Sequence, residues 1–315
     1  MDSLIVQFIL LIAGFVMLIK GADWFVEGAS KIAARFGIPK IIIGLTIVAM
    51  GTSAPEAAIS ISAALKGSAD IAVGNVVGSN IMNILLILGI TAIILPIPVK
   101  KPTLKFDLPF LLIVTALFVL LGLTDNVLGL VDGLILLAVF IGYMAYLFIT
   151  TINKQTTQPA TTSESKSNRI LLFIFLILIG CVLIVAGSNL TVDSAVFIAK
   201  AFGINERTIG LTIIAFGTSL PELVTSVTAA AKGKTDIAVG NIVGSNIFNI
   251  LFVIGLSAII TPVAYQPEFL VDSFVCIGAC ILLPILALNK KNRIKRPGGA
   301  IMLLCYCGYF VYLIQ

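Results

Sequence analysis

Long apolar segments follow one another along nearly the whole chain, and they restrict the possible fold more than any other feature of the sequence. Hydrophobic residues make up 59% of the chain and charged residues only 11%, whereas roughly a quarter of the residues in a soluble domain are charged. Many of the segments approach the ~20 residues that a helix needs to cross a bilayer. The sequence therefore predicts an all-α, multi-pass membrane protein.

Ten transmembrane helices are predicted, five on each side of a polar linker. The linker, 153–169, is rich in Thr, Ser, Gln and Pro; such a composition cannot bury a core and predicts a solvated segment. The two halves are 1–152 and 170–315. The predicted segments are 4–19, 37–65, 69–96, 108–123, 127–150, 170–190, 203–231, 236–261, 268–288 and 298–315.

The basic residues are distributed unevenly between the two sides of the predicted bundle. Five connections hold 17 of the 20 Lys and Arg residues: those between helices one and two, three and four, seven and eight, and nine and ten, and the linker. All five lie on the same side, which the positive-inside rule assigns to the cytoplasm. We therefore expect a plasma-membrane protein with a cytoplasmic linker and both termini outside.

The chain also contains an internal repeat. Residues 36–97 align without a gap on 202–263, and 38 of the 62 positions are identical. Each half has an odd number of predicted helices, so the two copies should cross the membrane in opposite directions. Inverted repeats of this kind are typical of secondary transporters, in which the substrate site lies near the midplane between broken helices.

A proline interrupts the first helix of each copy. Pro55 and Pro221 cannot donate a hydrogen bond to the preceding helical turn, and their rings crowd that turn. We therefore expect helix two to unwind around Ala49–Ala54 and helix seven around Ala215–Leu220. Freed carbonyls at membrane depth are tolerated where they are buried in protein or line a wet cavity, and they are suitable ligands for hard cations.

Glu56 and Glu222, directly after these prolines, are the only acidic residues deep within a predicted segment. A buried carboxylate there costs several kcal/mol without a partner, and no Lys or Arg lies deep enough to pair with it. A metal cation or a proton remains as the partner. Hydroxyl groups three and four residues earlier should face each carboxylate across one helical turn. They belong to Thr52, Ser53, Thr218 and Ser219. Shells made only of oxygen suit Ca²⁺ and Na⁺.

Polar residues form a stripe on the helix that follows each break. Their spacing of four places them on one helical face, as ligands of the same site or as bonds between helices. The stripes are Asn75, Ser79 and Asn83 in the first copy and Asn241, Ser245 and Asn249 in the second. Asn80 and Asn246 point away from the stripe and are assigned to helix packing. Close helix contacts are expected at Gly74, Gly78, Gly240 and Gly244.

Other features restrict the function class. The chain has no histidine, and its five cysteines form no CxxC pair, which excludes a Ser–His hydrolase and favours small buried side chains for the cysteines. No enzyme, cofactor or nucleic-acid partner is expected. Lys66, Asp70, Lys232 and Asp236 are predicted to be surface charges.

The paired motifs "GTSAPE…GNVVGSNIMN" and "GTSLPE…GNIVGSNIFN" resemble the two α-repeats of the Ca²⁺/cation antiporter superfamily, and within it the prokaryotic sodium/calcium exchangers. The resemblance implies that Glu56 and Glu222 bind Ca²⁺ and Na⁺ in competition and that helices one and six slide across the rest. It also implies further ligands: hydroxyls of Thr52, Ser53, Ser79, Thr218, Ser219 and Ser245, and carbonyls of Ala49 and Ala215.

One position departs from the family pattern. Family members that exchange Na⁺ often carry an Asp where this chain has Asn249, opposite an Asn equivalent to Asn83. Here both are Asn, as in Ca²⁺/H⁺ exchangers of the superfamily, and burial favours the protonated form of a carboxyl group. The leading hypothesis is Na⁺-coupled Ca²⁺ antiport by a monomer, with Ca²⁺/H⁺ antiport as the alternative and a passive cation channel as a remote one.

Overall fold

The computed structural model describes residues 4–65, 70–155, 170–203, 215–267 and 269–314, which are almost entirely helical. The predicted linker falls outside these residues from position 156 onward, and so does the segment 204–214 within predicted helix seven. The helices of the first half are α1 (Leu4–Arg35), α2 (Lys40–Ile43), α3 (Ala49–Thr52), α4 (Ala54–Leu65), α5 (Asp70–Ile81), α6 (Leu88–Ile94), α7 (Leu108–Asp125) and α8 (Leu130–Gln155).

The second half repeats this order. Its helices are α9 (Ile170–Ala201), α10 (Ala215–Thr218), α11 (Leu220–Ala231), α12 (Thr235–Phe248), α13 (Gly255–Ile260), α14 (Phe269–Ala287) and α15 (Arg296–Ile314). Wider, π-helical turns join or precede several of them: Gly44–Val48, Met82–Ile87, Thr103–Asp107 and Asn249–Ile254.

Seven of the described helices are long and apolar enough to cross a membrane, or up to eight if the bent pair Lys40–Thr52 and Ala54–Leu65 forms one span. Of the other two predicted segments, 203–231 runs through residues outside the described part. The segment 298–315 overlaps the 19-residue α15, which ends at Ile314. The count of ten transmembrane helices therefore stays a prediction.

Helices α1 and α9 extend well beyond their predicted ends at residues 19 and 190. Each has 32 residues, or about 48 Å at ~1.5 Å per residue. The two helices pack closely through glycines: a Cβ at Gly21 would lie 2.9 Å from the carbonyl oxygen of Gly180. This contact with a partner helix continues past the apolar residues, so hydropathy alone underestimates both lengths.

The predicted helix breaks occur at the expected positions but are narrower than expected. Only Ser53 (φ −83°, ψ 9°) and Ser219 (φ −90°, ψ 4°) leave the helical conformation. The helix axis bends by 49° between Lys40–Thr52 and Ala54–Leu65. The following proline is the second residue of a new helix, where its missing N–H is not needed. The predicted unwinding is wrong for Ala49–Thr52 and Ala215–Thr218, which are helical.

Short antiparallel strand pairs join connections from the two halves. β1 (Ile97–Pro98) pairs with β4 (Arg293–Ile294), and β2 (Val127–Leu128) pairs with β3 (Val263–Ala264). The first pair brings together two of the basic connections, those between helices three and four and between nine and ten.

Ion pairs also connect helices at the end of the bundle that carries the basic connections. Lys232 Nζ lies 2.7 Å from Asp23 Oδ1 and Lys234 Nζ 3.0 Å from Glu27 Oε2, which joins α1 to the connection after α11. Lys100 Nζ lies 2.6 Å from Asp236 Oδ2. The prediction of a surface charge is confirmed for Lys232, which is exposed and forms an ion pair, whereas Asp236 is half-buried in its pair with Lys100; Lys66 and the Asp70 side chain lie outside the described residues.

Candidate ion-binding site

Glu56 and Glu222 lie in the first turns of α4 and α11, directly after the two breaks. The exposed fraction is 1% for Glu56 and 0% for Glu222. The two carboxylates are close enough to interact electrostatically. No Lys or Arg of the described residues forms an ion pair with either one. The partial positive charge of a helix N-terminus favours each carboxylate but does not replace a counter-ion.

The serine at each break lies near the carboxylate of the other repeat, and the hydrogen bond is formed by Ser53. Ser53 Oγ donates to Glu222 Oε1 at 2.7 Å, and Ser219 lies beside Glu56. The expectation that Ser53 faces Glu56 across one helical turn is wrong, because the chain bends at Ser53 and the turn is not continued. Ser245 Oγ approaches the same Glu222 oxygen at 3.5 Å.

The first residue of each polar stripe braces the helix that carries the glutamate. Asn75 Nδ2 donates to the main-chain oxygen of Glu56 at 3.1 Å and to Ser60 Oγ at 2.9 Å. Asn241 Nδ2 donates to Ser226 Oγ at 3.0 Å, and Asn241 Oδ1 accepts from Thr52 Oγ1 at 3.0 Å. These amides hold the two halves of the site in place.

The last residues of the stripes, Asn83 and Asn249, are also buried. Asn249 Nδ2 donates to Ser79 Oγ at 3.2 Å, and Asn83 Nδ2 donates to Asn246 Oδ1 at 2.9 Å. Asn80 and Asn246, which the sequence assigns to packing alone, thus touch the site. The signal that could have revealed them is their identity at equivalent positions of the repeat.

Four carboxylate and amide oxygens of the site are buried and accept no hydrogen bond from the described residues. They are Glu56 Oε2, Glu222 Oε2, Asn83 Oδ1 and Asn249 Oδ1. A buried acceptor without a donor costs ~1–3 kcal/mol, and a charged one costs more. A hard cation would satisfy all four, since carboxylate and amide oxygens are its usual ligands. The described residues contain no cluster of three His, Cys, Asp or Glu side chains, so the site holds only two carboxylates.

Three further predicted ligands have different surroundings. The Ala49 oxygen accepts from Thr52 Oγ1 at 3.3 Å and from Ser245 Oγ at 3.4 Å, which places it beside the site. Thr218 lines a cavity next to the site. Ala215 begins α10, and its side chain lies outside the described residues.

This cavity, of about 760 Å³, adjoins the site and extends toward one end of the bundle. Its inner wall includes Asn75, Ser79 and Thr218, and its outer wall includes Leu11 near the start of α1 and Leu313 near the end of α15. The cavity therefore lies toward the end of the bundle that carries both chain termini.

The glycines of the two repeats have different contacts. A Cβ at Gly240 would lie 2.7 Å from the oxygen of Ile41, and one at Gly244 2.6 Å from the oxygen of Leu45. The prediction of close contact is confirmed there. It is wrong for Gly78, where a Cβ would meet nothing within 4 Å, and for Gly74, where the Phe269 ring lies 3.5 Å away. The bundle is thus closely packed on one side of the site and open on the other.

Comparisons with known proteins agree with this arrangement. The family model described as sodium/calcium exchanger protein matches residues 6–149 and 172–315. The sodium/calcium exchanger MaX1 of Methanosarcina acetivorans is 33% identical over 98% of both chains, and the inner membrane protein YrbG of Escherichia coli is 40% identical over 96% of this chain and 94% of that one. The sodium-calcium exchanger NCX_Mj, solved after soaking with zero Na⁺ and Ca²⁺, superimposes with a TM-score of 0.86 at 32% identity and covers 99% of this chain and 100% of that chain.

Proposed function

The chain belongs to the sodium/calcium exchanger family, and from this premise we propose that it is a secondary antiporter that extrudes Ca²⁺ in exchange for Na⁺. The observation that carries the proposal is the buried pair of Glu56 and Glu222, which forms no ion pair with a Lys or Arg of the described residues. Each glutamate keeps one oxygen that accepts no hydrogen bond from the described residues. The cavity lined by Asn75, Ser79 and Thr218 lies beside the site, and we infer that ions approach the pair from this end.

The charge of the site determines the electrical character of the exchange. Two carboxylates neutralise one Ca²⁺, whereas three Na⁺ would exceed them by one charge. Exchange of three Na⁺ for one Ca²⁺ is therefore electrogenic. The proposed ligands are Glu56, Glu222, Thr52, Ser53, Thr218, Ser219, Ser79, Ser245, Asn83, Asn249 and the carbonyls of Ala49 and Ala215.

Alternating access is supported by the unequal packing of equivalent residues. The corresponding segments of the two repeats would exchange surroundings, so that the side with the cavity closes when the closely packed side opens. We propose ten helices in two inverted five-helix repeats, acting as a monomer, with α1 and α9 sliding as a pair. The basic end is proposed to be cytoplasmic, where the ion pair between Asp23 and Lys232 helps to hold it closed.

Proton coupling is the second candidate, and the asparagines at 83 and 249 favour it. With only two carboxylates, the site could exchange one Ca²⁺ for two protons without net charge movement. A passive channel is disfavoured by close packing at Gly240 and Gly244, because a channel needs both ends open at once.

Uptake of ⁴⁵Ca²⁺ into proteoliposomes distinguishes these functions. Vesicles loaded with Na⁺ at equal pH on both sides should take up Ca²⁺, and faster when valinomycin and external K⁺ make the interior positive, because net positive charge leaves. Uptake driven only by an acidic interior would instead establish Ca²⁺/H⁺ antiport. Ca²⁺ uptake that is as fast without a Na⁺ or proton gradient as with one would refute antiport. Vesicles that contain the Glu222→Gln variant give the background uptake.

A further inference from the structure

Four asparagines close a ring of hydrogen bonds across the two repeats. Asn80 Nδ2 donates to the main-chain oxygen of Asn246 at 3.2 Å, and Asn246 Nδ2 donates to the main-chain oxygen of Asn80 at 3.1 Å. Their side-chain oxygens accept from the outer members: Asn249 Nδ2 reaches Asn80 Oδ1 at 3.2 Å, and Asn83 Nδ2 reaches Asn246 Oδ1 at 2.9 Å. None of the four is more than 1% exposed.

The ring determines which way each outer carboxamide points. A carboxamide has one donor end and one acceptor end. The amino group of Asn80 is engaged by the Asn246 carbonyl, so Asn80 can offer only its oxygen to Asn249. Asn249 must then turn its amino group to the ring and its oxygen away from it. Asn246 imposes the same orientation on Asn83.

The oxygens that face away from the ring are among the unsatisfied acceptors of the ion site. Asn83 Oδ1 and Asn249 Oδ1 are buried and accept no hydrogen bond from the described residues. Ser79 reinforces the orientation, because its hydroxyl donates to the Val76 oxygen at 3.2 Å and accepts from Asn249 Nδ2 at 3.2 Å.

We propose that Asn80 and Asn246 are positioning residues of the ion site, which act on the transported cation only through Asn249 and Asn83. The inference rests on the proposed function. A reversed carboxamide would aim two N–H donors at the cation instead of one oxygen, which removes a ligand and adds repulsion. A carboxylate can offer either oxygen, so a site with amides at both positions depends on such a ring.

Double-mutant cycles test this pairing, because Asn80 contacts Asn249 and Asn246 contacts Asn83. Asn80→Ala removes the acceptor of Asn249 and keeps every main-chain carbonyl. It should raise the apparent KM for Ca²⁺ in Na⁺-driven uptake about tenfold, the size of one lost hydrogen bond, with turnover changed less than about threefold. ⁴⁵Ca²⁺ binding to the detergent-solubilised protein should show the same loss, also in variants with slow transport.

The effect of Asn80→Ala in proteins that already carry a second substitution distinguishes a positioning role from a packing role. The effect of Asn80→Ala should disappear when Asn249 is already Ala and stay at full size when Asn83 is Ala, which is the matched control. Asn246→Ala should show the reverse pattern.

Additive effects in both backgrounds, or a lower melting temperature with unchanged Ca²⁺ affinity, would overturn the positioning role. Both outcomes presuppose a wild-type protein that binds and transports Ca²⁺. A wild type that neither binds nor transports Ca²⁺ would instead refute the proposed function, and this inference with it.

Discussion

Gly78→Ala and Gly244→Ala add the same methyl group at equivalent positions of the two repeats, yet the structure predicts opposite effects on access to the ion site. At Gly244 the new Cβ would lie 2.6 Å from the Leu45 oxygen and 2.8 Å from Ala49 Cβ, so the backbone must move. At Gly78 it would meet nothing within 4 Å.

The expected magnitude follows from the cost of overpacking, ~1–3 kcal/mol, which corresponds to a factor of about 5 to 150 in the ratio of two states. Gly244→Ala raises the energy of the state described here and should favour the opposite one. Gly78→Ala leaves this state unaffected. The added methyl group should raise the energy of the state in which the Gly78 side is closely packed. Gly78→Ala should therefore favour the state with the open cavity. Both variants should turn over more slowly than the parent.

The accessibility of a cysteine introduced into the cavity measures how far each variant shifts the equilibrium between the open and the closed cavity. Val224→Cys, on the cavity wall, would be introduced after replacement of the five native cysteines and labelled in proteoliposomes with a small, membrane-impermeant thiosulfonate. The labelling rate should fall with Gly244→Ala and rise or hold with Gly78→Ala. Gly278→Ala, where a Cβ also meets nothing within 4 Å, is the control. Shifts in the same direction at both glycines, in folded protein, would refute the exchange of roles between the repeats.

Three further substitutions test other parts of the structure. Glu222→Gln, like Glu56→Gln, should reduce ⁴⁵Ca²⁺ uptake to background while the protein elutes as a single species in detergent; wild-type rates would contradict the site. Lys232→Gln removes a partly exposed ion pair worth ~0.2–1 kcal/mol and should change the turnover rate up to about fivefold at low salt. This change should vanish at high salt, and a salt-independent effect would exclude the electrostatic explanation. Gly180→Leu, whose Cβ position lies 2.7 Å from the main-chain nitrogen of Phe25, should lower the melting temperature, and an unchanged value would contradict the tight packing of α1 on α9.

Local features of the sequence were sufficient to predict the type of fold and to propose the chemistry of the site. Apolar segments of membrane-spanning length, repeated at a constant offset of 166 residues, require helices that satisfy their own backbone. Proline cannot continue the helical hydrogen bonds of the preceding turn, which located both breaks to within a few residues. The oxygen-only set around Glu56 and Glu222 followed from the same short segments.

The contacts between repeats were decided by the tertiary structure alone. Ser53 bonds to Glu222 rather than Glu56 because a bend of 49° at one residue redirects the helix. Lys232 reaches Asp23 because the long α1 passes beside the connection after α11. Helical periodicity states which residues share a face, and it contains no information about which other helix that face will meet.

The same limit explains why identical glycines have unlike surroundings. Gly78 and Gly244 occupy equivalent positions in nearly identical segments, and no reading of the sequence distinguishes them. They differ because a cavity adjoins Gly78, whereas Gly244 packs against Leu45 and Ala49. The sequence by itself thus predicted the helical membrane fold, the positions of the breaks and the proposed oxygen ligands, whereas packing between the repeats decided which of two equivalent glycines faces a cavity.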